Sequence, residues 1–183
     1  MNYGLCKNAA DIVMKKEILI RFATITDLPF LVDIYNQAIR SRSATGDMDE
    51  FSVEERLEWF EKFDNNEYPI YIAEIETRVV GYCSLSPYRP GRKAMSTVAE
   101  ISYFLDYSFH GMGIGTALMK HVISDCDRIG KKNLLAIFLD INSQSIGLLK
   151  KFKFQKWGYL PDIIEFEEKK CGHLIYGLNI MKP

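Results

Sequence analysis

Glu100-Ile101-Ser102-Tyr103-Phe104-Leu105, followed after a short connection by His110-Gly111-Met112-Gly113-Ile114-Gly115-Thr116-Ala117-Leu118, is the stretch on which the fold turns. Its first part is extended and rich in aromatic and apolar side chains. Beyond the glycines, Leu118, Val122, Cys126 and Ile129 recur at helical spacing until Gly130 closes the pattern. The stretch reads as strand, glycine loop, helix. Alternate glycines let the backbone approach a ligand closely, and the free N–H groups and positive dipole end of the helix face whatever sits there. The natural guest is a pyrophosphate or another anion. The competing reading is a tight turn that needs glycine only for its backbone angles.

Working outward toward the N-terminus, Val98 to Leu105 is preceded by a Pro/Gly loop, Pro87 to Arg92. Before that, Pro69 to Ile75 and Val79 to Leu85 are apolar runs joined by Glu76-Thr77-Arg78, the pattern of a hairpin. Val53 to Phe63, with Leu57, Trp59 and Phe60, predicts a helix, and the polar run Ser41 to Glu50 a loop. Ile18 to Phe22 predicts a strand. Thr26 is the expected N-cap of the helix that follows, with Asp27 and Pro29 in its first turn and Phe30, Leu31, Ile34, Tyr35 and Ala38 on its apolar side. Residues 1–16 show no period and are expected to be an extension to a single domain spanning 17–183.

Toward the C-terminus, Leu134 to Leu139 is a continuous apolar run, short enough for a buried strand. A helix is expected after Asn142 or Ser143, with Ile146, Leu148, Leu149 and Phe152 on its apolar side. Phe154 to Leu160 and His173 to Ile180 predict two final strands around a charged loop that contains Glu165 and Lys170. The order β-α-α-β-β-β-α-β-α-β-β predicts an α/β (α+β) domain, a mixed sheet of about seven strands flanked by about four helices.

A chain of 183 residues that is 48% hydrophobic can bury one substantial core. With 23 basic and 24 acidic residues there is no electrostatic case for nucleic acid, and the cluster Lys150, Lys151, Lys153 and Lys156 reads as a solvated face. No run approaches the roughly 20 apolar residues of a membrane helix, and the N-terminus lacks signal-peptide character, so a soluble cytoplasmic protein is expected. Cys6, Cys83, Cys126 and Cys171 show no zinc spacing and read as reduced thiols. His110, His121 and His173 form no ligand set, and no metal is expected.

The element order, the loop Gly111-Met112-Gly113-Ile114-Gly115 after a central strand, and Asn142-Ser143-Gln144-Ser145-Ile146 with Phe154 downstream resemble the GNAT family of acetyl-CoA-dependent N-acetyltransferases. The resemblance covers roughly residues 18–181. Within the family, Ile34-Tyr35-Asn36, Tyr82 with Pro87-Tyr88-Arg89-Pro90, and Thr97-Val98-Ala99-Glu100 are similar to the phosphinothricin and methionine sulfoximine acetyltransferases. The resemblance implies that the amides of Gly111, Met112, Gly113, Ile114 and Gly115, with His110 and Thr116 beside them, hold the coenzyme pyrophosphate. It also implies that the pantetheine arm lies along Tyr103, Phe104 and Leu105, where the fourth and fifth strands splay. Asn142 and Ser145 would contact the arm and the phosphates, although Asn142 reads equally well as a helix N-cap. A small-molecule amine acceptor and a homodimer are implied in the same way.

Acyl transfer needs a neutral amine, whereas an aliphatic ammonium has a pKa of about 10, so a base is required. Glu100 matches the acidic residue that serves as base in the resembling branch; its plainer reading is an edge salt bridge or strand-end solvation. A backbone N–H near Phe104 or Leu105 would stabilise the oxyanion. Tyr35 and the loop Ser41 to Glu50 would line the acceptor pocket, and Arg89 and Arg92 are candidates to meet an acceptor carboxylate, although such positions more often serve as solvated surface. The chain departs from the family pattern at His110, where Arg or Gln is usual, at Leu149, where Tyr or His often protonates the leaving thiolate, and at Lys153, where Gly is usual. Tyr107 or Tyr159 are the candidate substitutes for the missing acid. A dinucleotide-binding oxidoreductase is disfavoured, because Gly-x-Gly-x-x-Gly would need glycine at Thr116 or Leu118. A polyamine or peptide acetyltransferase, and a coenzyme A-binding sensor without catalysis, remain as alternatives.

Overall fold

The computed structural model describes residues 17–167 and 169–180; the expected extension 1–16 and Cys6 lie outside them. The strands are β1 (Leu19–Phe22), β2 (Ile70–Ile75), β3 (Arg78–Pro87), β4 (Val98–Leu105), β5 (Asn133–Leu139), β6 (Gln155–Phe166) and β7 (Lys169–Asn179). The helices are α1 (Leu28–Arg40), α2 (Val53–Glu61), α3 (Ile114–Asp125) and α4 (Ser143–Lys151). Among the described residues they form one seven-stranded mixed sheet in the order β1-β2-β3-β4-β5-β7-β6.

All neighbouring pairs are antiparallel except β4 with β5. That parallel pair holds over only Val98↔Asn133, Ala99↔Leu134 and Glu100↔Leu135. Beyond Glu100, β4 stays on β3 as far as Leu105, and beyond Leu135, β5 stays on β7 as far as Leu139. The sheet therefore opens into a V at its centre, with backbone groups along the inner edges left without a strand partner.

Alternation along β4 separates two environments. Ala99 and Ile101, with Tyr103 and Leu105 beside them, pack into the larger core with Leu118, Met119 and Val122 of α3 and Leu149 of α4. Phe104 turns to the opposite face and packs with Tyr82 of β3, Leu31 and Ile34 of α1 and Trp59 of α2. Cross-strand pairing sets Phe104 beside Tyr82, Ser102 beside Ser84 and Glu100 beside Ser86 on that second face.

Three boundaries depart from the sequence expectation. The N-cap of α1 is Asp27 rather than Thr26, because a 3-10 turn over Ile25–Asp27, itself capped by Thr24, intervenes. The Asp27 carboxylate accepts from the Thr24 N–H at 2.7 Å while the Arg21 guanidinium holds it at 2.8 and 2.9 Å, and this clamp fixes the turn. The glycine helix stops at Asp125, not Gly130: Asp125 accepts from the Tyr71 hydroxyl and the Arg128 guanidinium, and the chain winds through a further turn before Gly130 at φ +67. The charged loop near the C-terminus is almost wholly strand, since Glu165 pairs with Lys170 and Phe166 with Lys169. Cross-strand opposite charges hold that extension where a charge run alone suggested a loop.

Candidate active site

The V between β4 and β5 leads into a cleft of about 990 Å³. Tyr103, Phe104 and Leu105 form one wall, the loop around His110, Gly111, Gly113, Ile114, Gly115 and Thr116 its floor, and Asn142 and Ser145 of the α4 start the other wall. Met112 is the exception among the expected residues: its side chain turns outward and is 44% exposed, so only its backbone can serve the loop. Gly111 and Gly113 lie at φ +79 and +86, and a Cβ built on either meets nothing within 4 Å. Their glycines are needed for backbone angle, and the space above them is open. Gly113 is also the N-cap of α3, so the first N–H groups of the helix point into that space.

Asn142 caps α4, its Oδ1 accepting from the Ser145 N–H at 3.0 Å. With its oxygen occupied, what Asn142 offers a ligand is its NH₂ donor. The Tyr103 hydroxyl lies buried in the wall with no hydrogen-bond partner among the described residues. Burial pushes its pKa up to about 12, the neighbouring Ser145 side chain easing this, so it remains a donor across the physiological range. An orphaned donor beside a phosphate-type loop and an unpaired strand edge suits a long amide-bearing ligand such as coenzyme A. Sequence reasoning missed Lys151, read as part of a solvated face. It lines the same cleft and donates to the Thr116 hydroxyl at 3.2 Å, bringing a cation to the floor.

Glu100 stands half-buried on the other face. Burial alone raises its pKa, and among the described residues it has no hydrogen bond or salt bridge, so the strand-end ion pair is not what it makes. An unpaired carboxylate with a raised pKa is suited to accept a proton near neutral pH. It does not line the cleft itself; β4 separates the two.

The acceptor side differs from expectation. Ser41, Ser43 and Ala44 of the α1–α2 loop do reach the cleft. Tyr35 lies behind Phe104, edge-on at 4.8 Å, and its hydroxyl is taken up by Thr45 at 2.9 Å and by Asp47. Burial and Asp47 push its pKa up to about 12. Tyr35 thus supports the wall and holds the loop, and Asn36 beside it clips the Phe51 backbone through both amide atoms. Arg89 and Arg92 are exposed, Arg89 lying over Tyr88, and neither lines the cleft. On a polar Pro/Gly loop nothing draws them inward.

The three departures are also placed. His110 lines the cleft, its Nε2 3.4 Å from the Leu105 carbonyl. Leu149 is fully buried in the core and stands in no position to meet a ligand. Lys153 sits at φ +63, the left-handed backbone that glycine would adopt without strain. Of the suggested substitute acids, Tyr107 lines the cleft, whereas Tyr159 is outside it and donates to Asp140 at 2.9 Å.

Residues 29–154 match the Acetyltransferase (GNAT) family. The chain belongs to this family. An L-methionine sulfoximine/L-methionine sulfone acetyltransferase of Pseudomonas paraeruginosa is 30% identical over 79% of the chain and 84% of that protein. A Bacillus subtilis protein provisionally named a phosphinothricin acetyltransferase is 33% identical over 88% of the chain and 98% of its own length. Among solved structures, a ribosomal-protein-alanine N-acetyltransferase from Brucella melitensis superposes with a TM-score of 0.82 at 30% identity, covering 88% of this chain and 99% of that one. As a GNAT protein the chain is an acetyl-CoA-dependent N-acetyltransferase, and the open sheet, the glycine loop and the cleft are the parts that family membership explains.

Proposed function

We propose that this enzyme, one domain over residues 17–183, transfers the acetyl group of acetyl-CoA to the amine of a small amino-acid-like acceptor of the phosphinothricin or methionine sulfoximine type. The observation that carries the reading is Glu100: a half-buried carboxylate with no hydrogen-bond or ion-pair partner among the described residues, on the β4 face opposite the coenzyme-type cleft. Acetyl-CoA supplies the acetyl group as a thioester. The protein's tasks are to hold it and to free the amine of its proton. The Gly111–Gly115 amides and Lys151 would hold the phosphates; the open edge of β4, the Asn142 NH₂ and the Tyr103 hydroxyl would hold the arm. Glu100 takes the ammonium proton, directly or through a water, and the amine nitrogen then attacks the thioester carbonyl carbon. A β4 N–H near Phe104 or Leu105 faces the oxygen as charge grows on it. The C–S bond breaks and the sulfur leaves as thiolate, and the second proton shed by the nitrogen as the amide forms goes to that thiolate or to water. With a thiol pKa of about 8.5 the leaving sulfur needs no dedicated acid, consistent with Leu149.

A homodimer and a cytoplasmic setting complete the proposal. Edge strand β6 exposes Trp157, Tyr159, Leu160 and Ile163, an apolar set that a second copy would cover. A second acceptor class, a peptide N-terminus, is favoured by the likeness to the Brucella enzyme.

The test is thiol release from acetyl-CoA with methionine sulfoximine, phosphinothricin, a polyamine and a peptide, on wild type and Glu100→Gln. Turnover of the amino-acid analogues, lost in the variant, is expected. Turnover of peptide alone would overturn the acceptor assignment. Coenzyme binding with no turnover of any amine would overturn catalysis in favour of a sensor.

A further inference from the structure

Arginines in this protein are commonly paired with acids, the half-buried Arg21 and the exposed Arg78 and Arg128 among them. Arg21 bridges Asp27 and Glu74, Arg78 meets Asp106, and Arg128 meets Asp125. Arg56 of α2 is the exception. It is half-buried, and among the described residues it makes no hydrogen bond or salt bridge. Instead its guanidinium carbon lies 4.0 Å from the Trp59 ring centroid, 4.9 Å from Tyr35 and 5.0 Å from Phe51.

Each of those rings is itself held. Tyr35 is tied by its hydroxyl to Thr45 and Asp47, Phe51 by its backbone to Asn36, and Trp59 by an edge contact of 4.9 Å with Phe63. The nearby acids are engaged elsewhere or turned away: Asp47 on Tyr35, Glu55 on the Ser52 N–H at 2.7 Å, Glu54 into solvent. Aromatic faces attract the cation but cannot accept its N–H groups, which radiate in the guanidinium plane. The result is a pre-oriented fork of donors that no acid or carbonyl among the described residues engages.

Its position gives the fork a purpose. Arg56 is close enough to the hydroxyls of both Tyr35 and Tyr82 to favour their ionised forms. Tyr35 meets Phe104 edge-on, Tyr82 pairs across from Phe104, and Ser102 and Glu100 continue the same face of β4. Unpaired cation and unpaired carboxylate therefore border one sheet face. An α-amino acid carries the complementary pair of groups, an ammonium and a carboxylate.

Resting on the acceptor reading above, we propose that Arg56 is an anion subsite that grips the carboxylate of the amino-acid acceptor in a bidentate contact, selecting amino acids over simple amines. Arg89 and Arg92 do not carry this role. The fork geometry matters, so Lys is not an equivalent.

The experiment compares L-methionine sulfoximine with its methyl ester and its decarboxylated amine, on wild type, Arg56→Lys and Arg56→Met. Met keeps an apolar chain against Trp59, and melting temperatures monitor the fold. Wild type should prefer the free acid. In Arg56→Met the ratio of kcat/KM for acid over ester should fall about 10- to 100-fold, mainly through KM, with Arg56→Lys in between. An unchanged ratio, with all three compounds affected alike, would make Arg56 a structural brace and overturn the proposal. If wild type turns over none of the three, the acceptor reading fails, and calorimetric binding of L-methionine sulfoximine decides the subsite separately. Binding to wild type that is lost in Arg56→Met upholds it; no binding to wild type overturns it.

Discussion

Gly113→Ala and Gly130→Ala form a matched pair that separates what the fold needs from what the ligand needs. Both glycines have positive φ, +86 and +67, and a Cβ on either meets nothing within 4 Å. The structural cost in each case is therefore backbone strain alone, about 1–2 kcal/mol. For a chain of this size that lowers Tm by roughly 2–8 °C at about 2–4 °C per kcal/mol. The consequences for binding differ. Gly113 caps α3 and lines the cleft, so its new methyl projects where an anion must approach the amides; Gly130 closes the far end of the helical segment. Losing even one charge-assisted hydrogen bond costs about 1.5–3 kcal/mol, a rise in coenzyme A Kd of roughly 10- to 150-fold. Calorimetry with coenzyme A, beside thermal unfolding, measures both. Similar melting shifts are expected in the two variants, with the affinity loss confined to Gly113→Ala. Coenzyme binding at wild-type strength in Gly113→Ala would refute the loop as the phosphate anchor.

Other substitutions probe the remaining parts. Burial raises the Glu100 pKa, so the acid limb of kcat/KM should lie above the ordinary carboxylate range, with activity falling as pH drops through it. The same shift means the native state holds that proton more tightly than the unfolded chain does. Its contribution is present at low pH and is lost as pH rises through the raised value, so Glu100→Gln should not lower urea stability at pH 7. Lys153→Gly removes left-handed strain and should raise Tm by about 2–4 °C per kcal/mol gained, with roughly 1 kcal/mol expected. Burial opposes ionisation of Asp27, but hydrogen bonds from Arg21 and Thr24 outweigh it and hold its pKa below the usual range. Asp27→Asn should cost about 1.5–3 kcal/mol above the ordinary aspartate pKa and progressively less in acid, read by urea unfolding at pH 7 and pH 3.

The fold was legible because its strongest signals are local. Helical periods, alternating runs and one continuous apolar run mark the main strands and helices, and the glycine loop marks the one parallel connection. Errors arose where a side chain acts across sequence. Asp27 could be seen as a first-turn residue, but its clamp by Arg21 depends on β1 and the turn being folded together. The Lys cluster looked uniform in one dimension, yet the helical spacing of α4 puts Lys151 over Thr116 while its neighbours face solvent. The arginines also differ in how far sequence alone can read them. Arg89 and Arg92 attract attention beside a Pro/Gly loop, whereas Arg56 looks like any charged position on a helix. Only the convergence of Tyr35, Phe51 and Trp59 from separate segments distinguishes it.

The loss of a family acid at Leu149 looks at first like evidence for a dead enzyme, but the structure argues otherwise. Leu149 is fully enclosed with Leu118, Val122 and Phe154, so the position has been absorbed into the core rather than left as a gap in a site. A sensor that had abandoned catalysis would have no reason to keep Glu100 half-buried, since desolvating a carboxylate is costly and no partner among the described residues offsets it. On the coenzyme side, the Tyr103 hydroxyl is likewise buried, with the Ser145 side chain nearby but no hydrogen bond formed among the described residues. Two uncompensated polar groups on opposite faces of one strand, either side of the point where the sheet opens, are expensive for a binding protein and purposeful for an acetyltransferase. In the proposed mechanism the acyl donor and the amine acceptor would meet across β4, with Glu100 already desolvated as the proton acceptor.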